Sequence, residues 1–125
     1  MAEMEVITGR RRATDQEIVE KTKTIIRRFD PEKIILFGSY AFGNSGSESD
    51  LDLLIIMNTD KPSWEKSIEV TLALKHTFPI DILVKTPEEI DNRIIAGDFF
   101  LSHILENGKV LYERPRERVG QQSGR

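Results

Sequence analysis

The sequence predicts a single α/β domain, a sheet with helices packed mainly on one face. Three observations predict it. Short apolar runs recur at "KIILF", "DLDLLIIM" and "IDILVK", and runs of that length bounded by turn residues read as buried strands. Segments with helical spacing lie around them, two of which open on Thr-x-x-Glu, the reciprocal cap of a helix start. At 125 residues the chain supports one modest core and not two.

Taken in order, residues 1–13 end in the basic run Arg10 to Arg12, show no apolar period, and are expected to form a flexible arm. Thr14 and Glu17 cap a first helix whose apolar stripe is Ile18, Val19, Ile25, Ile26 and Phe29. It stops at Asp30-Pro31, because the residue before proline is disfavoured in helical conformation. Lys33 to Phe37 is the first strand, and the Gly/Ser/Asn-rich stretch 38–49 is turn and loop with one helical turn at "SYAF". Asp50 to Met57 is the second strand. Trp64, Ile68 and Leu72, spaced by four, mark a second helix running to about His76, with Trp64 packing it onto the sheet.

Ile80 to Lys85 is the third strand, and Thr86-Pro87-Glu88-Glu89 opens a third helix with proline at its first position. "DFFLSHILEN" is a last helix with Phe99 and Phe100 in the core, closed at Asn107-Gly108. "KVLY" follows as a fourth strand. Residues 114–125 lack a hydrophobic pattern and are expected to be a disordered tail, which leaves 14–113 as the folded domain.

Composition excludes several functions. Cysteine is absent, so disulfides, thiolate metal sites and a cysteine nucleophile are ruled out. A net charge of −3 speaks against a general nucleic-acid binder. No apolar run approaches a membrane span, and the first twelve residues are too charged for a signal peptide. A cytoplasmic protein with no membrane partner is expected; self-association is left open.

The chemistry concentrates in acids. Strand residues two apart share a face, so Asp50 and Asp52 project together while Leu51, Leu53 and Ile55 face the other way. Two carboxylates there repel each other and lose hydration unless a cation sits between them. Ligands that are all oxygen favour a hard ion, Mg²⁺ or Mn²⁺. Asp81 interrupts the apolar run "PIDILV". If its strand pairs beside the second, three carboxylates meet at one sheet surface, the layout that holds two divalent ions for displacement at phosphorus. Singly, each acid also suits a turn or an exposed strand position. Gly38 lets a phosphate approach the backbone, and Ser39 and Ser49 add hydroxyl donors. Neither a Walker A loop nor GxGxxG is present.

The pattern G-S-x10-D-x-D, read at Gly38, Ser39, Asp50 and Asp52, resembles the signature of the DNA polymerase beta-like nucleotidyltransferase superfamily, and within it the minimal nucleotidyltransferase (MNT) domains. The likeness continues through "PIDILVKTPEEI", where Asp81 matches the third carboxylate, and through "ILENGKVLYE". It implies a small mixed sheet of that fold and transfer of AMP from ATP to a hydroxyl. Asp50 and Asp52 would hold two Mg²⁺ ions, Asp81 would complete the first site and help deprotonate the acceptor, and Gly38 and Ser39 would hold the triphosphate. It also implies a partner, since many MNT proteins resemble antitoxins that attach AMP to a tyrosine of a HEPN-domain toxin. Two alternatives stay open: a binding module that occludes its toxin without catalysis, and an enzyme acting on a small-molecule hydroxyl.

Two departures stand out. Phe42 occupies the place where the family commonly carries Arg in G-S-x-A-R-G, and Ser47-Glu48 stands where a proline usually precedes the Ser-Asp pair. Of the remaining residues, His76 and His103 are expected to be solvated or packed, and Lys85 a solvated strand-end lysine sharing Asp81's face. Arg10 to Arg12, Arg114, Arg116 and Arg118 are expected in solvated arms.

Overall fold

A computed structural model of the chain describes residues 12–43 and 50–115. Helix α1 (Asp15–Phe29) opens on the expected capping box: Glu17 N–H donates to the Thr14 hydroxyl at 3.1 Å, and Thr14 N–H donates to the Glu17 carboxylate at 2.9 Å. Its buried stripe is Ile18, Thr22 and Ile25. Val19, expected in that stripe, is exposed, while Thr22 is admitted because its hydroxyl donates to the Ile18 carbonyl at 2.8 Å. The helix ends where Asp30 turns left-handed, at φ 48°, just before a buried Pro31.

Strand β1 (Lys33–Phe37) runs into a single 3₁₀ turn at Gly38–Tyr40. Beyond it come strand β2 (Leu51–Ile56), helix α2 (Ser63–Ala73) and strand β3 (Ile80–Lys85), then helices α3 (Pro87–Ile95) and α4 (Phe99–Asn107) and strand β4 (Lys109–Glu113). The sheet is mixed, in the order β3-β2-β1-β4, with β2 and β3 parallel and the other pairs antiparallel. Helices α1 and α2 cover one face and enclose the larger core around Ile25, Ile34, Leu53, Ile55 and Val70. Helices α3 and α4 place Ile90, Leu101 and Ile104 over Ile35, Leu54 and Ile56 on the other. Gly108 lets α4 turn tightly into β4: a β-carbon there would meet Ile35 Cγ2 at 2.5 Å and the Ile104 carbonyl oxygen at 2.6 Å.

Several expectations are corrected. Helix α2 presents Trp64, Ile68 and Leu72 to solvent, Trp64 at 67% exposure, and buries Ser63 and Val70 instead. The polar stripe faces inward because β3 is an edge strand with backbone donors to satisfy. The Ser67 hydroxyl accepts from Val84 N–H at 2.9 Å and donates to the Ser63 carbonyl at 3.0 Å. The helix also stops at Ala73, short of His76, because Leu74 turns extended and is itself buried. His76 Nδ1 meets the Phe78 carbonyl oxygen at 2.8 Å in the connecting loop.

Phe99 and Phe100 are exposed rather than core, since α4 buries Leu101 and Ile104. Ala13 is buried, its N–H donates to the buried Tyr40 hydroxyl at 2.9 Å, and the Arg12 guanidinium lies 5.0 Å from the Tyr40 ring centroid, so contacts reach two residues into the expected arm. Arg114 is engaged as well: its N–H donates to the Glu32 carbonyl at 2.8 Å and its guanidinium pairs with Asp30 at 3.3 Å. Residues 1–11 and 116–125, including Arg10, Arg11, Arg116 and Arg118, lie outside the described residues. Among the described residues, no helix is long and apolar enough to cross a membrane.

Candidate active site

The register of β2 against β3 sets Asp52 directly opposite Asp81. Paired residues on neighbouring strands share a face, and this face also carries Phe37, the partner of Asp52 on β1. Leu51 and Leu53, either side of Asp52, are fully buried in the opposite core. Rotating Asp52 away would therefore expose both leucines, so packing holds the acid in place.

Asp50 immediately precedes β2 and is exposed, as is Asp81; Asp52 is half-buried. Its carboxyl is pushed up to about 6, first by burial, then by the negative charge of Asp81, and to a smaller extent by that of Asp50. Among the described residues no cation offsets this repulsion at Asp52. A groove of about 310 Å³ between α2 and β3, bordered by Ile68, Leu72 and Ile80, reaches Asp81. Asp81 borders this groove and is exposed.

Gly38 closes the other side of Asp52. Its φ is 75°, and a β-carbon built on it would lie 2.3 Å from Asp52 Oδ2. Only glycine meets both demands, the left-handed backbone and the close approach. Ser39 follows in the 3₁₀ turn, half-buried, its hydroxyl without a hydrogen-bond partner among the described residues. Ser49, the second hydroxyl singled out from the sequence, lies outside the described residues.

A polar strut absent from the sequence reading supports β3 from behind. Besides Ser67, the Ser63 hydroxyl donates to the Glu89 carboxylate, which also accepts from Thr86 N–H at 2.9 Å. Burial would raise the Glu89 carboxyl, but the Ser63 and Thr86 hydrogen bonds and the nearby Lys85 charge together hold it below the usual range. Lys85 thus stands at the far end of β3 from Asp81, beside Glu89 and away from the acids.

The family model described as "Polymerase beta, Nucleotidyltransferase" matches residues 20–117. The chain belongs to the polymerase beta nucleotidyltransferase family. A Methanocaldococcus jannaschii protein named as a candidate protein adenylyltransferase, MJ0604, is 41% identical over 65% of this chain and 78% of its own length. A second from the same organism and of the same designation, MJ1379, is 30% identical over 62% of this chain and 79% of its own. The crystal structure of a candidate nucleotidyltransferase from Sulfolobus solfataricus superposes with a TM-score of 0.56 at 18% identity, covering 79% of each chain, a likeness of fold alone. That of a toxin–antitoxin MntA-HpeT mutant reaches 0.47 at 19% identity, over 82% of this chain and 75% of that one, and adds nothing to the assignment.

A nucleotidyltransferase of this family calls for divalent metal, and the donor set can be tested against that need. Among the described residues no three acidic or imidazole groups stand together as a finished ligand cluster. The chemistry nevertheless fits a hard ion: every candidate donor is a carboxylate oxygen, and the uncompensated repulsion at Asp52 is what a cation relieves.

Proposed function

We propose that this nucleotidyltransferase moves AMP from ATP onto a hydroxyl of a partner protein in the cytoplasm, the acceptor being a tyrosine of a HEPN-domain toxin and the chain its antitoxin. The observation that carries the reading is the pairing of Asp52 with Asp81 across β2 and β3 beside the glycine turn. Asp50, Asp52 and Asp81 are the residues that would hold two Mg²⁺ ions, with Mn²⁺ as a substitute. Bound there, the ions would lower the pKa of the acceptor hydroxyl and neutralise charge on departing pyrophosphate.

Gly38 admits the triphosphate to the backbone, and the hydroxyls of Ser39 and Ser49 donate to its oxygens. Asp81, exposed beside its groove, orients the acceptor hydroxyl and takes its proton. The acceptor oxygen bonds to the α-phosphorus as the bond to pyrophosphate breaks. The relatives named as candidate protein adenylyltransferases support a protein acceptor over a small molecule. The HEPN partner rests on the resemblance to MNT domains.

The test is to incubate the protein with ATP, Mg²⁺ and a HEPN protein encoded beside it, and to follow the partner's intact mass. A gain of one AMP per partner, lost in Asp52→Asn, is expected. An unchanged mass across Mg²⁺ and Mn²⁺ conditions overturns the reading.

A further inference from the structure

The segment that leads into α1 is fastened to the glycine turn. Tyr40, the last residue of that turn, is buried in the core that α1 and α2 cover. Its hydroxyl accepts from Ala13 N–H at 2.9 Å, a buried bond between residues 27 positions apart. Ala13 is itself fully buried. The residue before it, Arg12, is exposed and sets its guanidinium over the Tyr40 ring, 5.0 Å from the centroid. A cation so placed is attracted by the negative face of the ring. One tyrosine thus makes two separate contacts that keep a positive charge beside Gly38 and Ser39.

The turn has no such charge of its own, since residues 38–43 carry no basic or acidic side chain. Its two ends meet opposite signs. Gly38 lies against the Asp52 carboxylate, and Tyr40 carries Arg12. Two steps of a 3₁₀ turn, about 2 Å each, separate those ends, a span that one triphosphate covers. A nucleoside triphosphate with two divalent ions is close to neutral, so Asp50, Asp52 and Asp81 leave such a site negative. A fixed cation at the outer phosphates then counts most as pyrophosphate leaves and charge builds there.

We propose that Arg12 is a substrate-binding residue whose guanidinium holds the outer phosphates, and that Tyr40 is the positioning residue that sets it there; the inference rests on the nucleotide-transfer reading above. With the α-phosphorus at the acids, the triphosphate runs along the turn past Ser39 and ends at Arg12. A guanidinium stays charged at every working pH, and its fork of donors matches phosphate oxygens two at a time. Tyr40 serves through its hydroxyl, which ties down Ala13, and through its ring, which gives the guanidinium a surface to rest on. The arrangement accounts for a turn without a basic residue, and it gives work to an arginine expected in a solvated arm.

The test is calorimetric titration of the full chain, in Mg²⁺, with α,β-methylene-ATP and with inorganic tripolyphosphate. Arg12→Ala is expected to weaken both by the same factor, about tenfold or more, the loss of one charge-assisted contact. Arg12→Lys should fall between, since it keeps the charge and loses the fork. Tyr40→Phe keeps the ring and removes the hydroxyl; it should weaken tripolyphosphate in the wild-type background and change nothing further in Arg12→Ala. Circular dichroism checks that each variant folds, and the comparison of Arg12→Ala with wild type leaves Tyr40 untouched. Wild-type affinity for tripolyphosphate in Arg12→Ala overturns the assignment of Arg12. An equal effect of Tyr40→Phe in both backgrounds overturns its positioning role. Both results leave the transfer reading standing, because the wild-type chain still binds the ATP analogue. Failure of the wild-type chain to bind either probe overturns both inferences.

Discussion

The Asp52 carboxylate lies against the backbone of Gly38, so close that a β-carbon on the glycine would stand 2.3 Å from Oδ2. The turn and the acid are therefore packed against each other, and a side chain on the glycine would displace the carboxylate. Gly38→Ala is expected to cut AMP transfer by about a hundredfold or more, since a displacement near 1 Å already costs that much. It should also lower stability by about 1–3 kcal/mol through the left-handed backbone. Transfer assays and urea denaturation check the two effects separately. Wild-type activity in this variant would mean that Asp52 can work from another position.

Asp52 also makes the metal-free protein sensitive to pH. Its carboxyl titrates near 3.8 in the unfolded chain and at about 6 in the folded one, so the folded state holds its proton more tightly. The contribution to stability is present in full below about pH 4 and is lost as pH rises through about 6. Thermal melts of chelator-treated protein should show this decline, and Asp52→Asn should flatten it and be the more stable protein at pH 7. Mg²⁺ added at pH 7 should raise the melting temperature of the wild type and not of Asp52→Asn.

Ser67→Ala removes the acceptor of Val84 N–H, a contact of 2.9 Å to a residue that is 1% exposed. A loss of about 1–3 kcal/mol is expected, the cost of leaving a buried amide unpaired. Hydrogen exchange at the Val84 amide should accelerate by a matching factor. Because β3 carries Asp81, transfer should fall as well, though less than in a carboxylate variant.

Exposure on the two helices whose buried faces differ from expectation can be read directly. Trp64 is the sole tryptophan, so its fluorescence should match that of a solvated indole and be quenched freely by acrylamide. Phe99→Ala should change stability by no more than about 0.5 kcal/mol, whereas Leu101→Ala on the same helix should cost about 2–5 kcal/mol. A blue-shifted, shielded Trp64 would reverse the orientation given to α2.

The expectations that held share one property: their causes are local. Thr14 with Glu17 and Thr86 with Glu89 announce their helices because a cap is completed within four residues. The apolar runs at 33–37, 51–56 and 80–85 announce strands for the same reason. The buried face of α2 was illegible, because Ser67 faces inward to satisfy Val84, a residue 17 positions away on a strand edge that exists only once the sheet forms. At the candidate site, Gly38, Asp50 and Asp52 stand out by spacing, and Asp81 by interrupting an apolar run. Phe37, the cross-strand partner of Asp52, carried no signal, nor did its edge-to-face contact with Phe100. Phe37 looks like an ordinary strand residue, and α4 comes to lie beside it through a return of more than sixty residues.

The parallel register of β2 and β3 has a consequence for how this gene can change. Codons inserted between the strands, anywhere in the 57–79 connection that leaves α2 seated, would leave Asp52 and Asp81 facing each other. A single codon inserted just ahead of Asp81 inside β3 would swing that carboxylate to the opposite side of the sheet, toward the oily interior around Leu53 and Val84. Length drift in the connection is nearly silent, while one extra residue in the strand removes an acid from the site.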